Sequence, residues 1–260
     1  MNLFDSHSHY NDEKFDIDRE EIIKETLSSG VSNFVVAGYN IDSSKKAIEI
    51  ANKYEELYAI VGISPNDIED IKTEEDMSKC INEIEKIASD KKAVAIGEIG
   101  LDYYWNKDNK EVQKEMFIKQ IKLANKLELP IVIHTREAIS DTLEILKENE
   151  VNKKGIFHCC PLNRELVKEA LKLGFYISLS GVITFKNAKN ADEIINMVPE
   201  DRILIETDSP YLAPEPVRGT RNNSINVKYV AEKIAKVKNR TLEEIADFSY
   251  QNARRIFGIK

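Results

Sequence analysis

Two histidines one residue apart, His7 and His9, close the opening stretch Leu3-Phe4-Asp5-Ser6-His7-Ser8-His9. On a β-strand, residues two apart share a face, so both imidazoles aim together and make half of a transition-metal site. Alone, such a pair suits a satisfied strand end as well as a ligand pair. The chain's other two histidines, His134 and His158, shift that balance, because each also ends a short apolar run. Two isolated acids, Glu98 and Asp208, stand in the same place after other runs. Six metal-type ligands placed alike imply a two-ion site. His7 and His9, helped by Asp208, would hold one ion; His134 and His158 would hold the second; Glu98 would bridge both through its two oxygens. The mixed nitrogen and oxygen set suits Zn²⁺, Mn²⁺ or a similar first-row ion, and Mg²⁺ less naturally. Two such divalent ions lower the pKa of a shared water and clamp the attacked group. Glu98 and Asp208 would be the catalytic acids, with Asp208 both binding metal and taking the proton from that water.

For these residues to meet, the runs they end must be strands pointing one way. The apolar runs are residues 2–5, 34–38, 58–63, 93–98, 130–134, 155–158, 175–179 and 203–208. Between them, helical periodicity predicts helices over 17–27, 42–54 (capped by Asp42), 74–88, 110–126, 138–147, 163–173 and, more weakly, 191–197. Two more helices, over 224–237 and 242–257, close the chain. About eight β-then-α units is the count of a single α/β (β/α)₈ barrel, with the site at the C-terminal mouth of its strands. Runs that are continuously apolar, rather than alternating, are what strands covered on both faces look like. An open doubly wound sheet is the runner-up; its first strand would more often lead into a Gly-rich phosphate loop, which is lacking.

The 260 residues, 32% charged and 42% apolar, suit one barrel spanning 1–260. The net charge of −8 argues against broad, non-specific nucleic-acid binding, yet leaves room for a phosphate-processing enzyme whose metals supply local positive charge. Cys80, Cys159 and Cys160 give neither a disulfide framework nor a C-x-x-C knuckle, so reduced thiols in a cytoplasmic protein are expected. Asp5, Asp12 and Glu13 interrupt the start before a signal peptide can form, and no apolar run approaches a membrane span. No membrane association and no obligate protein partner is expected.

Several longer stretches carry a resemblance. FDSHSHYND at 4–12, VGISPND at 61–67, GEIGLDYYW at 97–105, PIVIHTREA at 130–138, FHCCPL at 157–162, LIETDSPYLAPEPVRGTRNNS at 204–224 and the closing NARRIFG make the chain resemble the TatD family of metal-dependent hydrolases, within the amidohydrolase superfamily. The resemblance spans essentially the whole chain. It implies a TIM-type barrel, a divalent metal pair on the six residues above, and hydrolase activity. It implies DNA as substrate, since several family members are deoxyribonucleases and some trim DNA from the 3′ end. The chain departs from the family pattern where V-G-x-H-P-H is usual: Ser64 and Asn66 replace the two histidines, which bears on substrate preference rather than on metal binding. It also has His158-Cys159-Cys160-Pro161 for H-C-F-S-G, and Arg221-Asn222-Asn223-Ser224 for R-N-E-P.

Around the ligands, Arg218 and Arg221 lie in a Pro-rich loop beyond Asp208, and Arg136 lies two residues past His134; each is either a phosphate grip or a solvated loop charge. Tyr103, Tyr104 and Trp105 either stack on bases or pack as a lid. Asp102 is read as orienting a ligand from behind. Glu206, one residue off the Asp208 face, and Asp5, deeper in its strand, are read as structural or supporting. Cys159 and Cys160 are read as buried small residues. The leading reading is a metal-dependent phosphodiesterase acting on single-stranded DNA or 3′ ends. The alternative keeps the metals and hydrolyses an amide or ester of a small or aminoacyl substrate. A partner-binding scaffold with vestigial metals sits poorly with an intact ligand set.

Overall fold

In the computed structural model, which describes residues 1–105 and 107–260, the apolar runs become eight strands in one sheet ordered as in the sequence, and every neighbouring pair is parallel. They are β1 (Leu3–Ser8), β2 (Val31–Ala37), β3 (Leu57–Val61), β4 (Ala93–Asp102), β5 (Ile131–Arg136), β6 (Gly155–Phe157), β7 (Tyr176–Leu179) and β8 (Ile203–Ile205). The intervening helices are α1 (Arg19–Ser28), α2 (Ile41–Asn52), α3 (Glu74–Ala88), α4 (Lys110–Leu127), α5 (Ile139–Glu148), α6 (Arg164–Lys172) and α7 (Ala191–Met197), followed by α8 (Val227–Lys238) and α9 (Leu242–Phe257). The ring closes where β1 meets the chain just past β8: Asp208 N–H donates to His7 O at 2.9 Å, and His9 N–H to Ser209 O at 2.7 Å. This is the expected (β/α)₈ barrel.

Alternation inside each strand builds two cores, one within the ring and one outside it. Phe4, Val35, Ile60, Val132, Ile156 and Leu204 form a single cluster that meets α9 through Tyr250, Ala253, Ile256 and Phe257. Strands from all around the ring share that cluster, so it fills the interior, and the end of α9 plugs it from below. Phe4 and Phe257 stack there with centroids 6.0 Å apart. The neighbours Phe34, Val36, Val61, Ile131, Ile203 and Ile205 face the helices instead. Asn252 of α9 fastens the plug: its amide donates to Glu200 O at 2.8 Å and Ile203 O at 2.9 Å, at the entry to β8.

Helix starts follow from local side-chain bonds. Asn40 with Ser43, Thr73 with Asp76 and Thr241 with Glu244 form reciprocal capping boxes on α2, α3 and α9. The first helix begins at Arg19 rather than residue 17, because the chain after β1 makes a short 3₁₀ turn, Glu13–Phe15, and Ile17 lies fully exposed. The expected helix over 224–237 likewise opens as a 3₁₀ turn, Ser224–Asn226, before α8.

The main correction concerns β4, which does not end at Glu98. Gly100, Leu101 and Asp102 go on to pair with His134, Thr135 and Arg136, after a register shift between Ile96 and Ile99. A charged residue after an apolar run looks like a terminus in sequence, but backbone pairing is indifferent to it. Gly100 makes the extension possible: its φ of +136° suits glycine, and a Cβ there would collide with His134 O. In the other direction, β8 stops at Ile205, three residues short of Asp208.

Candidate metal centre

All six predicted ligands reach the C-terminal mouth. His7 lies in β1 and His9 one residue beyond it; Glu98 and His134 lie inside β4 and β5; His158 directly follows β6; Asp208 follows β8. His7, His9, Glu98 and His158 are buried, while His134 and Asp208 are partly open to the mouth. Asp208 sits at φ +55°, a left-handed turn that Asp tolerates and that brings its carboxylate back over the ring.

Glu98 is at the centre. Its Oε1 lies 2.9 Å from His134 Nδ1 and 3.3 Å from His158 Nε2. Its Oε2 lies 3.6 Å from His7 Nε2 and 3.9 Å from His9 Nε2. Asp208 Oδ1 is 3.2 Å from His9 Nε2 and 3.8 Å from His7 Nε2. The nitrogens also crowd one another: His7 Nε2 and His9 Nε2 are 3.2 Å apart, and His134 Nδ1 and His158 Nε2 are 3.4 Å apart. Two groups, His7 with Glu98 and His158, and His7 with His9 and Asp208, each place their ligand atoms within 4.8 Å of one another.

The outward ring nitrogens decide what the inward ones offer. His9 Nδ1 is 3.0 Å from Ala37 O, which can only accept, so Nδ1 carries the proton and Nε2 keeps a lone pair. His134 Nε2 donates to Asp102 Oδ2 at 2.9 Å, so Nδ1 is the nitrogen that offers a lone pair once it is deprotonated. His158 Nδ1 faces Glu206 Oε1 at 3.4 Å, an ion-pair distance, and presents Nε2 inward. Once the inward nitrogens give up their protons, lone pairs and carboxylate oxygens converge from several sides, which is the donor chemistry of a cation site whose binding releases protons. The set fits a divalent pair.

Charge follows this pairing. Burial would raise Glu98, but the charge of His158 and hydrogen bonds from His134, His158 and His7 hold it well below the usual carboxylate range. Burial would likewise raise Asp208, and His9 outweighs it to keep the group low. For Asp102, burial is overcome by His134 and the backbone of Trp105, which bring it to about 2. For His134, burial lowers and Asp102 with Glu98 raise, the result being about 8. His7 is pushed down by burial and by His158.

Several neighbours differ from their sequence reading. Glu206 is more than structural: it is fully buried, faces His158, and accepts Cys159 N–H at 2.6 Å. Arg221 is ion-paired to Asp18 at 2.5 Å and donates to Lys14 O, so its charge is already matched. Arg218 lies over the Phe185 ring at 3.6 Å. Asp5 is held by Thr207, Ser224 and the His7 N–H, and burial raises it to about 7. Cys160 is buried, whereas Cys159 lines the mouth with its Sγ 3.2 Å from Ser180 Oγ. Ser64 is buried, and Asn66 Nδ2 donates to Asp102 Oδ2 at 3.3 Å, joining the bond that orients His134. Sequence reasoning missed Tyr211, whose OH donates to Asp12 Oδ2 at 2.7 Å on the rim; its place three residues past Asp208 was the available signal.

Asp102 gives a first expected result. Asp102→Asn removes the charge that fixes the His134 tautomer, and metal affinity should fall by about 10- to 100-fold. Competition against a chromogenic chelator measures it; unchanged affinity would mean that the contact orients nothing.

An eight-stranded parallel barrel with four imidazoles and two carboxylates converging at its C-terminal mouth is the layout of a barrel metal-dependent hydrolase. The chain belongs to the TatD family: the family model described as TatD related DNase matches residues 4–258. It is 45% identical over 258 residues to a Bacillus subtilis protein named uncharacterized metal-dependent hydrolase YabD, covering 99% of both chains. It is 34% identical over 264 residues to another protein named an uncharacterized metal-dependent hydrolase, from Buchnera aphidicola, covering all of both. In fold it matches the crystal structure of the TatD homologue YJJV from Escherichia coli, with a TM-score of 0.92, 24% identity, and coverage of 99% of this chain and 98% of that one. Among the described residues, no helix is long and apolar enough to cross a membrane.

Proposed function

We propose that the chain is a metal-dependent deoxyribonuclease that hydrolyses phosphodiester bonds in single-stranded DNA or at 3′ ends, with His7, His9, Asp208, His134, His158 and a bridging Glu98 holding two divalent ions. The observation that carries the reading is the division of Glu98, one oxygen toward each imidazole pair. The family's description as TatD related DNase supports DNA as the substrate. Zn²⁺ or Mn²⁺ suits the donor set better than Mg²⁺. Bound there, the ions would lower the pKa of the attacking water and draw charge from the scissile phosphate.

The chain's own groups do the rest. Glu98 fixes the spacing of the two positions. Asp208, anionic and partly open to the mouth, accepts the proton of the attacking water on a carboxylate oxygen. Asp102, Glu206 and Ala37 O keep the imidazole lone pairs turned inward. The mouth opens into a cavity of about 690 Å³, of the size that admits a nucleotide. Three unpaired cysteines suit a reducing cytoplasm. Incubating purified protein with single-stranded DNA and Mn²⁺, Mg²⁺ or Zn²⁺ tests the reading, and intact DNA under all three would overturn it.

A second reading, hydrolysis of an amide or ester in a small or aminoacyl substrate, draws on the acid side of the mouth. Asp12 and Asp67 stand there with His9 and Tyr39, on a chain of net charge −8. Faster turnover of an acyl ester than of a phosphodiester with the same leaving group would favour it.

A further inference from the structure

The three aromatic residues after Glu98 take different roles. Tyr103 is buried and its OH donates to Asp141 Oδ2 at 2.7 Å, so it packs as part of the barrel's lid. Trp105 is 65% exposed and Tyr104 43% exposed, with centroids 4.8 Å apart and planes at 87°. The Arg136 guanidinium lies 3.9 Å from the Tyr104 centroid and 5.5 Å from that of Trp105. Among the described residues, Arg136 has no ion-pair partner. Trp105 and Arg136 line the same cavity as Glu98 and His134, so the platform and the metal centre share one space. An open indole face beside an uncommitted guanidinium offers stacking to a base and charge to the adjoining phosphate. The neighbouring hollow that holds Asp12 and Asp67 repels a phosphodiester chain.

We propose that Trp105, backed by Tyr104 and Arg136, is the stacking platform for the nucleobase next to the scissile phosphate, and that the strand leaves the metal centre over β4 and β5. This rests on the deoxyribonuclease reading above. A base paired in a duplex has no free face for the indole, so the platform favours single strands and frayed ends.

Trp105 is the chain's one tryptophan, so its fluorescence reports this position alone. Metal-loaded protein is titrated with a phosphorothioate oligothymidylate, which resists cleavage, and with an abasic strand of equal length and charge. The thymidylate should quench the indole and the abasic strand should not. In steady-state hydrolysis of ordinary oligothymidylate, Trp105→Ala should raise KM about tenfold and move kcat less than about threefold, and Trp105→Phe should recover most of the loss. Equal quenching by both strands, or an unchanged KM, in a protein that cleaves DNA overturns the platform. Base-dependent quenching in a protein that cleaves no DNA upholds the platform and overturns the deoxyribonuclease reading instead.

Discussion

Glu98→Ala is expected to lower hydrolysis by about 10³-fold or more and to cut bound metal from about two ions per chain to one or fewer. The size of the effect comes from the residue's position. Every inward imidazole lies within 3.9 Å of one or other Glu98 oxygen, so a single truncation removes a donor from both positions. It also leaves four imidazoles facing one another without their shared anion. His158, now raised well above its ordinary range chiefly by the charge of Glu98 against the pull of burial, would lose that support. A buried network deprived of its central charge loses stability as well, on the order of 3–5 kcal/mol. Glu98→Gln separates the two consequences, since it preserves volume and one oxygen while removing the charge. Elemental analysis of both variants, with hydrolysis rates at saturating Mn²⁺, provides the measurement. Two ions and near-normal rates in Glu98→Ala would show that the residue bridges nothing.

What the sequence discloses about this site, and what it conceals, follows from how each interaction is encoded. Residue type and strand-end position are local properties, so His7, His9, His134 and His158 can be picked out, and the order β1 to β8 follows from the succession of apolar runs. Partner choice is not local. Asp18 lies 203 residues from Arg221, and nothing near either one announces that this loop charge is spent on an ion pair rather than left for a phosphate. Asn66 reaches Asp102 across 36 residues, and Glu206 reaches Cys159 across 47. The counting of faces in Glu206 fails for a related reason. Past Ile205 the chain has left the strand, and alternation stops predicting where a side chain points. Glu98 is legible as a candidate ligand while its place in the strand is not, because chemistry is read from the side chain, whereas the extent of β4 is set by backbone pairing with β5.

The same distinction between holding metal and doing chemistry sets the expectation for Asp208→Asn. The backbone at 208 lies in the left-handed region, which Asn adopts as readily as Asp, and its N–H bond to His7 O needs no side chain. The fold and the closure of the barrel should therefore survive. The amide oxygen still faces His9, so metal content should stay close to wild type when metal is in excess. What disappears is a carboxylate able to accept a proton. The expected result is a fall in kcat of about 10²- to 10⁴-fold with little change in KM, and loss of the acidic limb of the pH–rate profile. That pattern is the converse of Glu98→Ala, in which metal and rate fall together. Rates within tenfold of wild type at saturating metal would transfer the proton-accepting role away from Asp208 and leave it as a ligand only.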